Sequence, residues 1–588
     1  MYKSIIEADL KKVIKSLGYI LPGDALLSIA QTSKFGDYTS NASLQLSKQK
    51  HKNSYQSPME IANQILEQFG HPHYLERIEV AGPGFLNFYL KNEAIIKVLN
   101  EKVVAKTKDD YAKRYLIEYG HPNTHKEFHI GHLRTLTIGE SIARLLQFHG
   151  HPVFRTDYGS DIGLPVAKAL WGVQKVKSEK LKVQSEGSLK DKARFLGEAY
   201  ALGHKAYEDE PQSKQEIDQM NIKIYQRDSE IVPLWEETKE WSLLYFQTLY
   251  TKLGVEFDAR INESEVDQIG KQEVLDNVGK VFIEDQGAII FPGEQYGLHN
   301  RVFVNSKGNP TYEGKELGLT RREEELFPFD VSLHIVDVQQ SDFFKVVNKA
   351  LELIDNRETK KRHIPYGFVS LTTGRMSSRM GNVISADDLI AEVTQEIKKQ
   401  YPKGEISEDS YEKIAIGATK FYYLKYGLTS DIVFDIEKSV SLQGDSGPYV
   451  MYVYARINSL LNRAKKNEPK KDIKEDQEGV IAQGGKGTVD RVQVTVKNTG
   501  EGLEQEEREL LRILEYFEVV IEKAYKNFQP NEITTYLLEV ARRFNHFYES
   551  SPILISNKQE FRIKLAIKTA ETIKLGLYLL GIETVEKM

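Results

Sequence analysis

Between Tyr115 and Arg155 the hydrophobic period of the chain changes twice, and this constrains the fold more than any other feature. Tyr115-Leu116-Ile117-Glu118-Tyr119 reads as a strand, and a turn-rich loop follows it. Leu133, Leu136, Ile138, Ile142, Leu145 and Leu146 then fall on one apolar helical side. Gly150 ends that helix, and Val153-Phe154-Arg155 begins a second strand. Strand, loop, helix and strand within about 40 residues is a βαβ unit, which requires a parallel sheet.

Extended along the chain, the pattern predicts an α/β protein. A Rossmann-like parallel-sheet domain occupies 113–400, with a charged helical insertion over about 164–253 and further strands at 281–283, 288–291 and 334–338. An N-terminal α+β domain (1–112) precedes it. That domain opens with a helix carrying Ile5, Ile6, Leu10, Val13, Ile14 and Leu17, holds a strand pair turned by Gly82-Pro83-Gly84, and ends in the charged stretch 106–113. A connecting segment (401–440) leads to an α-helical bundle (441–588), with helices expected over 449–464, 506–526, 532–548 and 561–580. Within the bundle, 467–502 is rich in Lys, Glu and Gly but carries Val489, Val492, Val494 and Val496. It reads as a flexible surface insert with a short hairpin. Three or four domains also suit the 588 residues, at roughly 100–200 residues each.

Composition removes whole classes of function. The chain has no cysteine, which excludes a disulfide framework, a Cys-based zinc site, an iron–sulfur cluster and a cysteine nucleophile. It has no apolar run long enough for a transmembrane helix, and Glu7, Asp9, Lys11, Lys12 and Lys15 interrupt any signal-peptide core. A cytoplasmic protein without membrane contact is expected. The net charge of −6 argues against a surface that coats nucleic acid indiscriminately, yet permits a local basic groove.

The densest chemistry is His121-Pro-Asn-Thr-His125-Lys126-Glu-Phe-His129-Ile-Gly131-His132. His121, His125 and His129 are spaced as metal ligands on one helix face would be, but Pro122 and Gly131 argue against a continuous helix there, and no metal site is predicted. The βαβ context offers a better use. His129 and His132 lie where a loop meets a helix N-terminus, and backbone N–H groups there favour anions. Two ring donors can hold phosphate oxygens whose charge grows as phosphorus is attacked. Gly131, lacking a side chain, lets a flat ring approach the backbone.

Pro122 through Arg134 resembles the HIGH signature of class I aminoacyl-tRNA synthetases, in the form used by arginyl-tRNA synthetases. Arg375-Met376-Ser377-Ser378-Arg379-Met380-Gly381-Asn382 resembles the second, KMSKS signature. This implies ATP binding by His129, Gly131, His132, Met376 and Ser377, with Mg2+ accompanying the ATP and no structural metal. Ser378 replaces the signature's second lysine and Met380 a further one. Many arginyl enzymes share the first loss and carry a lysine three residues before the first signature histidine, where Lys126 stands. The resemblance therefore implies a catalytic set of Lys126, His129, His132, Arg375 and Arg379.

The same comparison proposes the amino-acid pocket. Asn123 matches the residue holding the substrate's backbone end, Glu263 the acid facing the guanidinium, Tyr312 and Glu316 a Tyr-x-x-x-Asp pair, and Gln340 a substrate-contacting glutamine. Glu316 departs from the usual aspartate. Guanidinium is flat and always charged, so fork-matching carboxylates suit it.

At the ends, Phe35-Gly-Asp-Tyr38 and Ala81-Gly-Pro-Gly-Phe85-Leu-Asn87 resemble the N-terminal domain that contacts the tRNA elbow, with Phe85 to stack on a base and Asn87 to read its edge. The 441–588 bundle resembles the anticodon-binding domain, where Arg456, Arg542 and Tyr548 mix charge with flat rings. Taken together, the resemblance implies an arginine–tRNA ligase, most often monomeric in this family. It would form arginyl-adenylate from ATP and arginine and pass the arginyl group to the terminal adenosine of tRNA(Arg). Two alternatives stay open: a catalytically decayed tRNA-binding relative, and an H-x-G-H nucleotidyltransferase that does not act on tRNA.

Overall fold

The computed structural model describes residues 2–23, 26–30, 32–49, 55–103, 112–176, 186–372, 384–401, 406–467 and 502–588. Arg375, Met376, Ser377, Ser378, Arg379 and Met380 of the second signature, the charged stretch 106–111 and insert residues 468–501 lie outside them.

The central sheet has five parallel strands: β1 (Tyr115–Glu118), β2 (Val153–Gly159), β3 (Ala259–Asn262), β4 (Val331–Asp337) and β5 (Lys361–Tyr366), in the order β5-β4-β1-β2-β3. Every residue of β1 is buried, as a strand covered on both faces requires. Helix α1 (Ile130–Phe148) crosses from β1 to β2, which realises the βαβ unit. Its Gly139 lets it close on the strand's end, because a Cβ there would meet the Tyr119 ring at 2.2 Å. From β1 the chain winds outward through β2 and β3, then returns to the other side of β1 as β4. The strand order reverses there, which opens a crevice at the carboxyl ends of β1 and β4.

Among the described residues the charged segment after β2 is helical, as its pattern predicts. It comprises α2 (Leu164–Lys175), α3 (Leu189–Asp209), α4 (Pro211–Gln226) and α5 (Val232–Lys252), around a core of Val166, Leu170, Trp171, Ile217, Ile224 and Trp235. Helices α6 (Glu263–Asp276) and α7 (Tyr312–Leu326) follow β3, with a small antiparallel sheet of Ile283–Asp285, Ala288–Phe291 and Arg301–Val304 between them in sequence. That sheet begins at Ile283 rather than 281, and Val281 and Phe282 pack into the core ahead of it.

The N-terminal unit is a four-stranded antiparallel sheet with helices Tyr2–Ser16 and Pro58–Phe69. Ile6, Leu10 and Ile14, four residues apart, bury fully. Ser57 and Glu60 form a reciprocal capping box at the second helix.

In the C-terminal bundle the helix expected over 506–526 is two helices, Gln505–Glu515 and Phe517–Asn527, parted at Tyr516. The Tyr516 N–H turns back to Ile513, and its buried hydroxyl donates to the Asp37 carbonyl of the N-terminal unit at 2.5 Å. The break thus sits at a contact distant in sequence. Arg508 joins the same junction by pairing with Asp37 at 3.0 Å. The bundle's last helix (Gln559–Leu579) ends on α1, where Ser141 donates to the Leu579 carbonyl at 2.9 Å and Arg144 to that of Tyr578 at 3.0 Å. No described helix is long and apolar enough to cross a membrane.

Candidate active site

Every described residue that the resemblance assigns to catalysis or the arginine pocket, except Tyr312 and Glu316 on α7, follows the carboxyl end of a strand in this sheet. Asn123, Lys126, His129 and His132 come after β1, Glu263 after β3 and Gln340 after β4.

The loop after β1 is not helical. His121 and His125 both adopt the left-handed conformation (φ 59° and 63°), which breaks the periodicity that a His121–His125–His129 metal site would need. The rings go to different partners. His121 Nε2 meets the Ile335 carbonyl at 3.1 Å. His125 is fully buried between the Thr124 and Thr238 hydroxyls at 2.9 and 2.8 Å, and burial pushes it down to about 3. It braces the loop against α5. Arg260 on β3 clamps the same loop by donating to the Pro122 carbonyl at 2.9 Å.

His129 is the N-cap of α1, and its Nδ1 accepts from the Gly131 N–H at 3.1 Å. The Nδ1 of His132 accepts the backbone N–H of His129, also at 3.1 Å. The two rings stack at 3.7 Å with 21° between planes. Burial, then the Lys126 charge, holds His129 at about 4, and burial with the neighbouring His129 holds His132 well below its ordinary value. Both rings are neutral at pH 7. Because each uses Nδ1 as an acceptor, the proton sits on Nε2 and that edge is the donor. The ring brought close to Gly131 is that of His129, since a Cβ on Gly131 would stand 2.9 Å from its Cε1.

Lys126 is half-buried, with its ammonium 4.6 Å above the ring of Tyr200 on α3. Burial, with Lys168 nearby, lowers its affinity for the proton. Among the described residues no carboxylate pairs with it.

Asn123, Glu263 and Glu316 divide between two networks, while Tyr312 and Gln340 are exposed. Asn123 Oδ1 accepts from the Ser160 N–H at 3.0 Å, the Ser160 hydroxyl donates to Glu263 Oε2 at 2.9 Å, and Lys315 reaches the same oxygen at 2.7 Å. Glu316 instead pairs with Lys361 at 2.8 Å, in a group with Glu118, Glu323 and His334. Burial raises Glu118 to about 7 and Glu323 to about 8. Glu118, Glu323 and His334 bring metal-ligating atoms within 4.8 Å of one another, but the Lys361 ammonium, 3.5 Å from Glu323, already supplies a cation there. Tyr312 begins α7 and is 66% exposed. Gln340 is exposed on the turn after β4. Glu263 and Glu316 both act on the partly buried Tyr158 phenol of β2, which burial and these carboxylates push well up.

Sequence reasoning missed Ser160, Lys315 and Lys361. Lys315 had a signal, since it stands three residues after Tyr312 and one before Glu316. Ser160 and Lys361 had none.

Toward the ends, Phe85 is exposed at its strand's start, whereas Asn87 is buried with its carbonyl accepting from Thr39 at 2.9 Å. Arg456 donates to Asn545 at 2.8 Å and to the Tyr452 hydroxyl at 3.0 Å, and lies 5.2 Å from the Tyr548 ring. Arg542, half exposed, pairs with Asp445 and Glu539.

Three family models match this chain: tRNA synthetases class I (R), catalytic domain, over residues 94–436; the DALR anticodon binding domain over 450–588; and the arginyl tRNA synthetase N terminal domain over 2–90. The arginine–tRNA ligase of Clostridium perfringens is 31% identical over 582 residues, covering 96% of each chain. That of Bdellovibrio bacteriovorus is 31% identical over 514 residues, covering 84% of this chain and 83% of its own. The Thermus thermophilus arginyl-tRNA synthetase structure shares the fold with a TM-score of 0.79 at 23% identity, covering all of both chains. The Plasmodium falciparum enzyme does so at 0.76 and 19%, covering 100% of this chain and 99% of its own. With a catalytic-domain model spanning more than half its length, and both flanking domains matched in order, the chain belongs to the class I arginyl-tRNA synthetase family of arginine–tRNA ligases.

Proposed function

We propose that the stacked pair His129–His132 is the phosphate-stabilising centre of this ligase. The observation that carries it is the use of both Nδ1 atoms as backbone acceptors, which leaves two neutral Nε2–H donors at the N-terminus of α1. In the activation step the arginine carboxylate attacks the α-phosphorus of ATP, and pyrophosphate leaves. The Nε2–H groups meet the charge that grows on the α-phosphate oxygens, and they need no proton transfer to do so. Lys126 stabilises the departing pyrophosphate, for which Mg2+ enters with ATP as part of the substrate. Gly131 seats the rings, and Arg375, Met376, Ser377 and Arg379 complete the nucleotide site. Asn123 holds the amino acid's backbone end, while Glu263, Tyr312, Glu316 and Gln340 select its side chain. Both Glu263 hydrogen bonds fall on Oε2, so a guanidinium that takes both carboxylate oxygens meets Lys315 there.

Transfer to the terminal adenosine of tRNA(Arg) requires no covalent enzyme intermediate, so positioning and charge stabilisation suffice. In this reading the 1–112 domain meets the tRNA elbow through the exposed Phe85, with Asn87 buried behind it. The 113–400 domain performs the chemistry, 401–440 connects, and the 441–588 bundle uses Arg456, Arg542 and Tyr548 on the anticodon loop. The exposed ring of Phe85 and the Arg456–Tyr452–Tyr548 group suit stacking on single-stranded bases. The enzyme works as a cytoplasmic monomer.

Charging of tRNA(Arg) with labelled arginine, alongside ATP–pyrophosphate exchange with and without tRNA, tests this. Arginylation abolished by His132→Ala in a folded protein is the expected result. Exchange without any charging would overturn the ligase reading in favour of a nucleotidyltransferase, and inactivity in both assays would favour a decayed site.

A further inference from the structure

The acid assigned to the substrate's guanidinium already has a cation. Lys315 lies on α7 and Glu263 at the start of α6, and their side chains are only 6% and 5% exposed. The ammonium is 2.7 Å from Glu263 Oε2 and 3.3 Å from the Tyr225 hydroxyl. Burial works against its charge, but the Glu263 carboxylate together with the Tyr225 hydroxyl more than offsets this and holds the amine protonated. A buried carboxylate without a countercharge is costly, and pairing with Lys315 removes that cost. It also lies 5.8 and 5.7 Å from the rings of Tyr225 and Tyr312. Both are π-faces on which an ammonium can rest once displaced.

We propose that Lys315 is a resident counter-ion that competes with the incoming substrate cation for Glu263, and so sets the affinity and side-chain selectivity of the pocket. This rests on the assignment of Glu263 to the guanidinium. Lys315 meets the carboxylate by a single-point contact on Oε2. An incoming guanidinium offers a planar fork and is more weakly hydrated than an ammonium, so it can displace or share with Lys315. A neutral isostere brings no charge to exchange and leaves the Lys315–Glu263 pair closed. Lys315 acts through Glu263 and is a specificity-determining rather than a catalytic residue.

A structural lysine and a competing one predict opposite signs. Calorimetric titration of the full chain with L-arginine, without tRNA or ATP, reads the difference. Lys315→Gln keeps a hydrogen-bond donor to Glu263 and removes the charge, so arginine should bind about tenfold or more tightly than to wild type. Lys315→Arg places a guanidinium in the resident position, and arginine should bind about tenfold more weakly. If Lys315→Gln does not fold, Lys315→Arg still decides. Unchanged or weaker binding in a folded Lys315→Gln protein, or unchanged binding in Lys315→Arg, would overturn the proposal. Absence of arginine binding in wild type and both variants would instead overturn the arginine reading itself, and citrulline binding as well as arginine would remove the charge argument beneath both.

Discussion

The imidazole of His132 lies 3.7 Å from that of His129 and accepts the latter's backbone N–H on Nδ1. Each ring is thus oriented by main chain, and no carboxylate is needed to fix its tautomer. The arrangement leaves no room at Gly131, where a Cβ would stand 3.0 Å from His129 Nδ1. Gly131→Ala should therefore turn the His129 ring out of line. A misplacement of about 1 Å at a reacting centre costs about 10²-fold in rate. Steady-state kinetics should show that loss in kcat, with the KM for arginine little changed.

The His129 ring also makes a prediction about pH. Its ordinary value of 6.5 is lowered to about 4 by burial and then by Lys126. Between those values the unfolded chain takes up a proton that the folded chain refuses. The stability this ring contributes is therefore present above pH 6.5 and is lost as the pH falls through about 4. Ring NMR should place its titration near 4, and the pyrophosphate-exchange profile should pass through pH 6.5 without a break due to this group. His129→Asn should lose less stability than wild type between pH 6.5 and 5. A ring that titrates near 6.5 would contradict the geometry.

Lys126 has no carboxylate partner among the described residues and rests over Tyr200 at 4.6 Å. A cation left without a countercharge near a phosphate-binding centre is available to the pyrophosphate. Lys126→Ala should lower arginylation by about 10²-fold or more, mainly in kcat, with little change in thermal stability. An unimpaired variant would move that role to Arg375 and Arg379.

Arg134, fully buried in α1, donates to four carbonyls: Gly367 at 2.5 Å, Phe368 at 3.0 Å, Leu428 at 2.9 Å and Ser430 at 2.8 Å. It ties the active-site helix both to the residues that follow β5 and to the loop 428–430 after the helix Glu408–Leu424. Lysine cannot reproduce the planar fork. Arg134→Lys should leave at least one of these carbonyls without a donor and lower stability by about 2–4 kcal/mol, read from the urea midpoint.

Local pattern made much of this site legible. The strand–loop–helix–strand order around His129 and His132 is a matter of neighbouring residues, and so is the absence of a metal-bearing helix, which Pro122 already argued against. The helical insertion after β2 was equally readable from its period. The split at Tyr516 was not, because both halves keep a helical period and the break falls where Tyr516 meets Asp37, 479 residues away. Asn87 and Phe85 were indistinguishable as candidate base contacts until the sheet buried the first and exposed the second.

The sequence by itself determined the class of fold and the chemistry of the residues near the phosphates, because both depend on short spacings and on what each side chain can donate. It also carried the family, through two signatures in order. Only the tertiary structure decided the charge state of the pocket. Glu263 and Glu316 read as two free acids for one guanidinium, yet each is met by a buried lysine, Lys315 at 2.7 Å and Lys361 at 2.8 Å. The two lysines stand 52 and 45 residues from their partners. Burial favours those pairings, since a low-dielectric interior imposes a high cost on a carboxylate left without a countercharge.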